Sequence, residues 1–318
     1  MTTPQPAGLA DRLTVSTLER ALRRAGVPGI DAKRLRTDVV ERRYRASPAE
    51  HREIRKPDGS ARALTIPHPI DRALQAAVLE VITPHLDRGF DDHVHGFRPA
   101  CSCRGAVDAL VSEVGERPWL EVVQIDIEGM FDNLDHGWLE RATATSWPDP
   151  LWNWLVLTWM RPWAPLRGRG VPQGAPLSPL LSNVYLDNGF DRPWQIVGPE
   201  LGGVGWIRYA DDITLVSDQK GGGELLLHAA AAVLKRCGLH LAPRKVRRMS
   251  ANEATPELKV LGLQLAIVKS TAGFRLAVQP RAPKARRGTV PPEPRPIPKV
   301  EVPSLGFRVL EILSGLWR

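Results

Sequence analysis

A chain of 318 residues, 43% hydrophobic and 25% charged, can bury a large core, and at roughly 100 to 200 residues per domain it allows two or three subdomains. Its net charge of +8 and pI near 9.7 suit an acidic partner such as nucleic acid, although excess Lys and Arg serve a solvated surface equally well. Three cysteines without a CxxC pair exclude a disulfide framework and a zinc site; with no apolar run of roughly 18 residues and no signal-peptide pattern, a reduced cytoplasmic protein without a membrane partner is expected.

Residues 1 to about 50 read as basic helices, with Leu13, Leu18, Leu22, Leu35, Val39 and Val40 near a helical repeat that Gly26, Pro28 and Gly29 interrupt. From Arg55 to Pro67, two short runs flank Pro57-Asp58-Gly59, a hairpin carrying Lys56 and Arg62. Two such cations suit a phosphate group, yet taken alone they more often serve solubility. Leu74, Val78, Val81, Ile82 and Leu86 then mark an amphipathic helix from Asp71 to Leu86. The turn His95-Gly96-Phe97-Arg98-Pro99 and a second helix, about Cys103 to Val114, follow it.

Leu120 to Ile127 reads as a buried strand, and a carboxylate near its end, Asp126, is expensive there unless something binds it. Further on, Trp147, Trp152, Trp154, Trp159 and Trp163 crowd one segment whose helical spacing favours a packed core over a base-stacking platform. A Gly/Pro-rich loop from Gly168 to Pro176 exposes backbone and the amide of Gln173 before a helix. The stretch from Trp206 to Ser217 is a hairpin with Asp211 and Asp212 at its tip. Adjacent carboxylates in a turn are usually just solvated; joined by Asp126 from another strand, they have the makings of a site for two Mg²⁺ ions roughly 3.5 to 4 Å apart. Beyond lie a helix from Glu224 to Gly238, a cationic run containing Arg244, Lys245, Arg247 and Arg248, and a short strand pair or bulged strand around Gly262. Residues 279–303 turn Pro-rich and basic, as an extended linker would, and a last short helix is expected from about Leu305 to Trp317.

In order, KPDGSAR, HGFRP, QIDIEGMFDNLDH, GVPQGAPLSPLLSNVYLD, IRYADD, GLHLAPRK and KVLGLQL resemble the successive blocks of reverse transcriptases, most of all the bacterial group II intron-like lineage. YADD alone is a weak signal, but YADD behind PQGAPLSP and the DI-x-x-x-F block is specific. The resemblance implies an α+β right-hand polymerase with fingers, an antiparallel-sheet palm backed by helices, and a thumb. By position it implies an N-terminal helical extension over 1–50, fingers over 51–118 and a palm over 119–266 with a fingers segment near 140–172 inserted. A reduced thumb and basic tail would fill 267–318.

The resemblance also carries roles. Asp126, Asp211 and Asp212 would be the catalytic acids and, with the carbonyl of Ile127, the ligands of two Mg²⁺ ions, Mn²⁺ being the alternative. Lys245 would donate a proton to pyrophosphate. Lys56 and Arg62 would hold the triphosphate, Phe131 would exclude a 2′-hydroxyl, and Gln173 would support the nascent base pair. Arg98, Tyr209, Ala210 and Gly262 would meet primer and template. The implied partners are an RNA template, a DNA or RNA primer and dNTPs, with the oligomeric state left open. The short remainder after the last palm block lacks a visible maturase or endonuclease segment, so a stand-alone enzyme in CRISPR spacer acquisition or phage defence, or an intron remnant, is expected. The rivals are a non-catalytic, maturase-like RNA-binding protein on the same scaffold and an RNA-templated RNA polymerase. Three acids facing a polyanion argue against the first, and Phe131 against the second.

Overall fold

The computed structural model describes residues 8–55, 61–163, 168–254 and 257–279. The chain divides into two compact units, one of residues 1–90 and 129–188 and the other of 91–128 and 189–318.

In the first unit, Thr14 caps helix Val15–Arg24 by accepting the Thr17 N–H, and Asp31 caps Ala32–Val40 by accepting that of Arg34. Their apolar faces, including Leu18, Leu22, Leu35 and Val39, are buried, and Val15–Arg24 packs along Pro69–Leu86. The tryptophan-rich stretch forms helix Pro150–Trp163, with Trp152, Trp159 and Trp163 in the core. Two of their polar tips have partners: Trp159 Nε1 donates to the Tyr44 hydroxyl at 3.1 Å and Trp163 Nε1 to the Ser47 carbonyl at 2.8 Å. The expected basic hairpin is present as an antiparallel ribbon of β1 (Glu50–Arg55) and β2 (Ala61–Ile66); its turn, and Lys56 with it, lies outside the described residues.

The second unit is built on two four-stranded antiparallel sheets. In the first the order is β5 (Gly203–Tyr209), β6 (Asp212–Ser217), β4 (Glu121–Asp126) and β7 (Arg247–Ser250). The other runs β3 (Glu116–Arg117), β10 (Phe274–Gln279), β9 (Leu263–Lys269) and β8 (Glu257–Val260). Helix Gly222–Arg236 packs on β4 and β6, and helix Cys103–Val114 on β5 and β10. Side chains alternate across a strand, so Val122, Val216, Ile207 and Met249 share one sheet face and meet Leu258, Val260, Leu265 and the 103–114 helix in one core cluster.

Residues 91–118, assigned to the fingers, belong to the unit that carries the sheets, because helix Cys103–Val114 buries Ala106, Val107 and Leu110 there and loop 93–95 bonds to β5. The palm was expected to end at 266, but β9 runs to Lys269 and β10 pairs with it and with β3, so the sheet extends to Gln279. The linker and last helix expected beyond that point fall outside the described residues.

Candidate active site

β4 and β6 set Asp126 directly opposite Asp212. Behind them Val123, Ile125, Ile213 and Leu215 are buried on the opposite sheet face, so the two acids end strands that are rigidly packed. The hairpin expected at 206–217 forms, with Ala210 in the left-handed region at φ 59° and the Ile127 N–H donating to the Asp211 carbonyl at 3.1 Å. On the other edge of residue 127, the carbonyl of Asp126 and the N–H of Glu128 bond to Ala242 and His240. Backbone polar groups alternate sides along a strand, so the carbonyl of Ile127 lies on the hairpin-tip side.

Lys245 ends the 3₁₀ turn Pro243–Lys245, and its Nζ is 2.7 Å from both carboxylate oxygens of Asp126. From two residues before Asp126, on the same strand face, Gln124 Nε2 donates to both oxygens of Asp212 at 3.0 and 2.9 Å. Burial pushes the Asp212 carboxyl up to about 6; the Gln124 amide lowers it, the charges of Asp126 and Asp211 raise it and Lys245 lowers it. Gln124, Asp126, Asp212 and Lys245 line an open cleft of about 330 Å³ that also receives Arg247 and Lys259.

Among the described residues no group of three His, Cys, Asp or Glu side chains stands ready to hold a metal. Lys245 already neutralises Asp126, and Gln124 occupies Asp212. The donor set nevertheless fits a hard divalent cation: opposed carboxylates, one of them destabilised as an anion by burial and by its acidic neighbours, beside a backbone carbonyl.

The remaining residues assigned to primer and template have structural occupations. Arg98 Nη1 donates to the carbonyls of Asp91 and Val94 at 2.6 and 2.8 Å and ties its own loop together. Tyr209 is tied to the Cys103 thiol, a contact that with burial raises its pKa. Leu261 at φ 49° and Gly262 at φ 82° make the two-residue turn between β8 and β9, where glycine is favoured by conformation.

In the first unit, Gln173 Nε2 donates to Asp132 Oδ1 at 3.0 Å, its carbonyl accepts the Thr65 N–H at 2.8 Å, and the Val171 N–H donates to the Phe131 carbonyl at 2.7 Å. Phe131, Gln173 and strand β2, which bears Arg62, are therefore joined by one hydrogen-bonded path; the Arg62 side chain lies outside the described residues. Gln124 was not singled out from the sequence, although period-2 alternation from Asp126 would have placed it on the same face.

A family profile described as Reverse transcriptase (RNA-dependent DNA polymerase) matches residues 54–265, two thirds of the chain, and the protein belongs to that family. Within it the chain is group II intron-like. It is 32% identical over 161 residues to the group II intron-encoded protein LtrA of Lactococcus lactis subsp. cremoris, covering 48% of this chain and 26% of that protein. It is 29% identical over 210 residues to protein YkfC of Escherichia coli K12, covering 59% of this chain and 54% of that protein. The chain thus spans about half of one curated relative and about a quarter of the other. Among solved structures, apo telomerase from Candida tropicalis, truncated from its C-terminal domain, superposes with a TM-score of 0.56 at 12% identity, over 76% of this chain and 59% of that one. That likeness shows the polymerase fold.

Proposed function

We propose that this chain is an RNA-directed DNA polymerase that extends a DNA or RNA primer with dNTPs by nucleotidyl transfer at Asp126, Asp211 and Asp212. The observation that carries this reading is the pairing of Asp126 with Asp212 across β4 and β6, in an open cleft rimmed by Lys245, Arg247 and Lys259. Asp126, Asp211, Asp212 and the Ile127 carbonyl would hold two Mg²⁺ ions. Such ions, when bound, favour ionisation of the primer 3′-hydroxyl and neutralise the triphosphate.

The chain's own groups account for the rest. Asp126 is fixed at the end of a buried strand, so its carboxylate needs little reorganisation. The Lys245 ammonium, seated on Asp126, is close enough to the acids to deliver a proton to departing pyrophosphate. Lys56 and Arg62 neutralise the incoming triphosphate, Gln173 braces the nascent pair, and the Phe131 ring excludes a ribose 2′-hydroxyl. None of the three cysteines is in a disulfide, which fits a cytoplasmic location. Among the described residues no helix is long and apolar enough to cross a membrane.

Primer extension on matched RNA and DNA templates is the test, with the intron-like kinship making a structured RNA the first template to try. Synthesis of DNA on RNA supports the reading; tight RNA binding without synthesis in Mg²⁺ or Mn²⁺ favours the non-catalytic RNA-binding alternative. Phe131→Val should raise ribonucleotide incorporation by about tenfold or more, read as the ratio of kcat/KM for rNTP and dNTP. An unchanged ratio removes the steric gate. Intron mobility, spacer acquisition beside a CRISPR integrase and phage defence all use the same chemistry, and sequencing the RNA that copurifies with the chain separates them.

A further inference from the structure

Behind the acidic hairpin lies a charge pair with no contact to the cleft. Arg208, on β5, alternates away from Ile207 and Tyr209 and is wholly buried, as is Asp191 at the end of the π-helical turn Asp187–Asp191. The guanidinium grips that carboxylate with two parallel bonds, Nε to Oδ1 at 2.7 Å and Nη2 to Oδ2 at 2.5 Å, and its Nη1 donates to the Ala210 carbonyl at 3.1 Å. We propose that Asp191 and Arg208 form a positioning pair that sets the peptide between Ala210 and Asp211 and thereby aims the Asp211 and Asp212 carboxylates. The proposal rests on the nucleotidyl-transfer reading for its consequence, though not for its geometry.

Three physical points carry it. A buried ion pair is a poor stabiliser, because apolar residues of similar volume often do as well, so stability alone leaves this one unexplained. What the pair supplies is direction: a planar fork held by Asp191 leaves one N–H aimed at a single carbonyl. That carbonyl belongs to Ala210, whose φ of 59° is disfavoured for a residue with a Cβ and persists only where its surroundings impose it.

Neighbouring contacts hold the same point. The Arg208 N–H donates to the His93 carbonyl at 2.9 Å, and its own carbonyl accepts the His95 N–H at 2.8 Å. A Cβ on Gly96 would stand 2.1 Å from the Ala210 nitrogen, so only glycine lets this loop press against the tip. The tip of the hairpin is thus clamped by a loop on one side and a guanidinium on the other, with Asp211 tied to Ile127 between them.

The test uses the full chain, with steady-state primer extension and backbone amide exchange over residues 209–213 read by mass spectrometry. Arg208→Lys keeps the charge and loses the fork; Asp191→Asn keeps the shape and loses the charge. Both should lower kcat by about tenfold to a hundredfold, leave KM for dNTP within about threefold and speed exchange at the tip. The double variant Arg208→Met with Asp191→Leu removes both charges, and should melt near the parent's temperature while kcat stays low. Recovery of full turnover in that double variant, or parental kcat and exchange in Arg208→Lys, overturns the proposal. Should the parent fail to extend any primer, the polymerase reading falls, and the exchange measurements still decide whether the pair sets the tip.

Discussion

Val122, Gln124 and Asp126 share one face of β4, and over roughly 13 Å of strand that face passes from a dry contact to a carboxylate in an open cleft. At the first end, Val122 opposes Val216, both wholly buried in the core that holds the 103–114 helix and the second sheet. At the other, Asp126 opposes Asp212 and like charges crowd, relieved by Lys245 and Gln124. Each end depends on the other. The apolar half is where the strand gains its stability, and the acidic half uses the resulting rigidity to keep together groups that repel.

That division predicts opposite responses to substitution. The largest expected effect is at the acidic end: Asp212→Ala should lower kcat for primer extension by about a hundredfold to a thousandfold. The same variant should melt no lower than the parent, since it removes one of several crowded acids. Retained synthesis would erase the contrast. At the apolar end, Met249→Ala should reverse the pattern, losing about 2 to 5 kcal/mol in denaturant unfolding while kcat per folded molecule stays near the parent's. Between the two, Gln124→Ala should lower kcat by about tenfold, because a hydrogen bond to a carboxylate is lost without opening the core. Parental kcat in that variant would make Gln124 a bystander.

The smallest effect is expected at the sheet edge, where His93 lies between the Asp91 and Glu113 carboxylates and stacks on Trp206 with centroids 4.9 Å apart. Burial works against its charge, yet the two carboxylates raise its pKa from 6.5 to about 10. A raised folded-state pKa means stability that is complete below pH 6.5 and lost as pH climbs through about 10. The parent should therefore exceed His93→Gln in denaturant midpoint at pH 6, with the gap closing towards pH 10. A gap independent of pH would leave the stacking on Trp206 as the ring's whole contribution.

Much of this was legible along the chain. Helices 71–86 and 103–114 follow from apolar spacing and appear as Pro69–Leu86 and Cys103–Val114, and Gly262 marks a turn that does join two strands. Strand β10 escaped notice although Phe274, Leu276 and Val278 alternate as a strand's residues do; only Leu276 of the three is fully buried, and the strand is held by pairing with β9 and β3. Arg98 is assigned to the template by resemblance alone, and what its position in the chain does not reveal is that carbonyls of its own loop take its Nη1.

Residue order by itself determined the acidic turn, the acid at the end of an apolar strand, and the succession of blocks that marks the family, because these are set by local preference and by neighbours a few positions away. Only the tertiary structure decided that β4 enters between β6 and β7, and so which carboxylates face one another. Folding likewise chose an amide for Asp212, an ammonium for Asp126 and a guanidinium for the Ala210 carbonyl. Partners far apart in the chain are chosen by burial and by the need to satisfy every buried polar group, and neither condition exists until the sheet has closed.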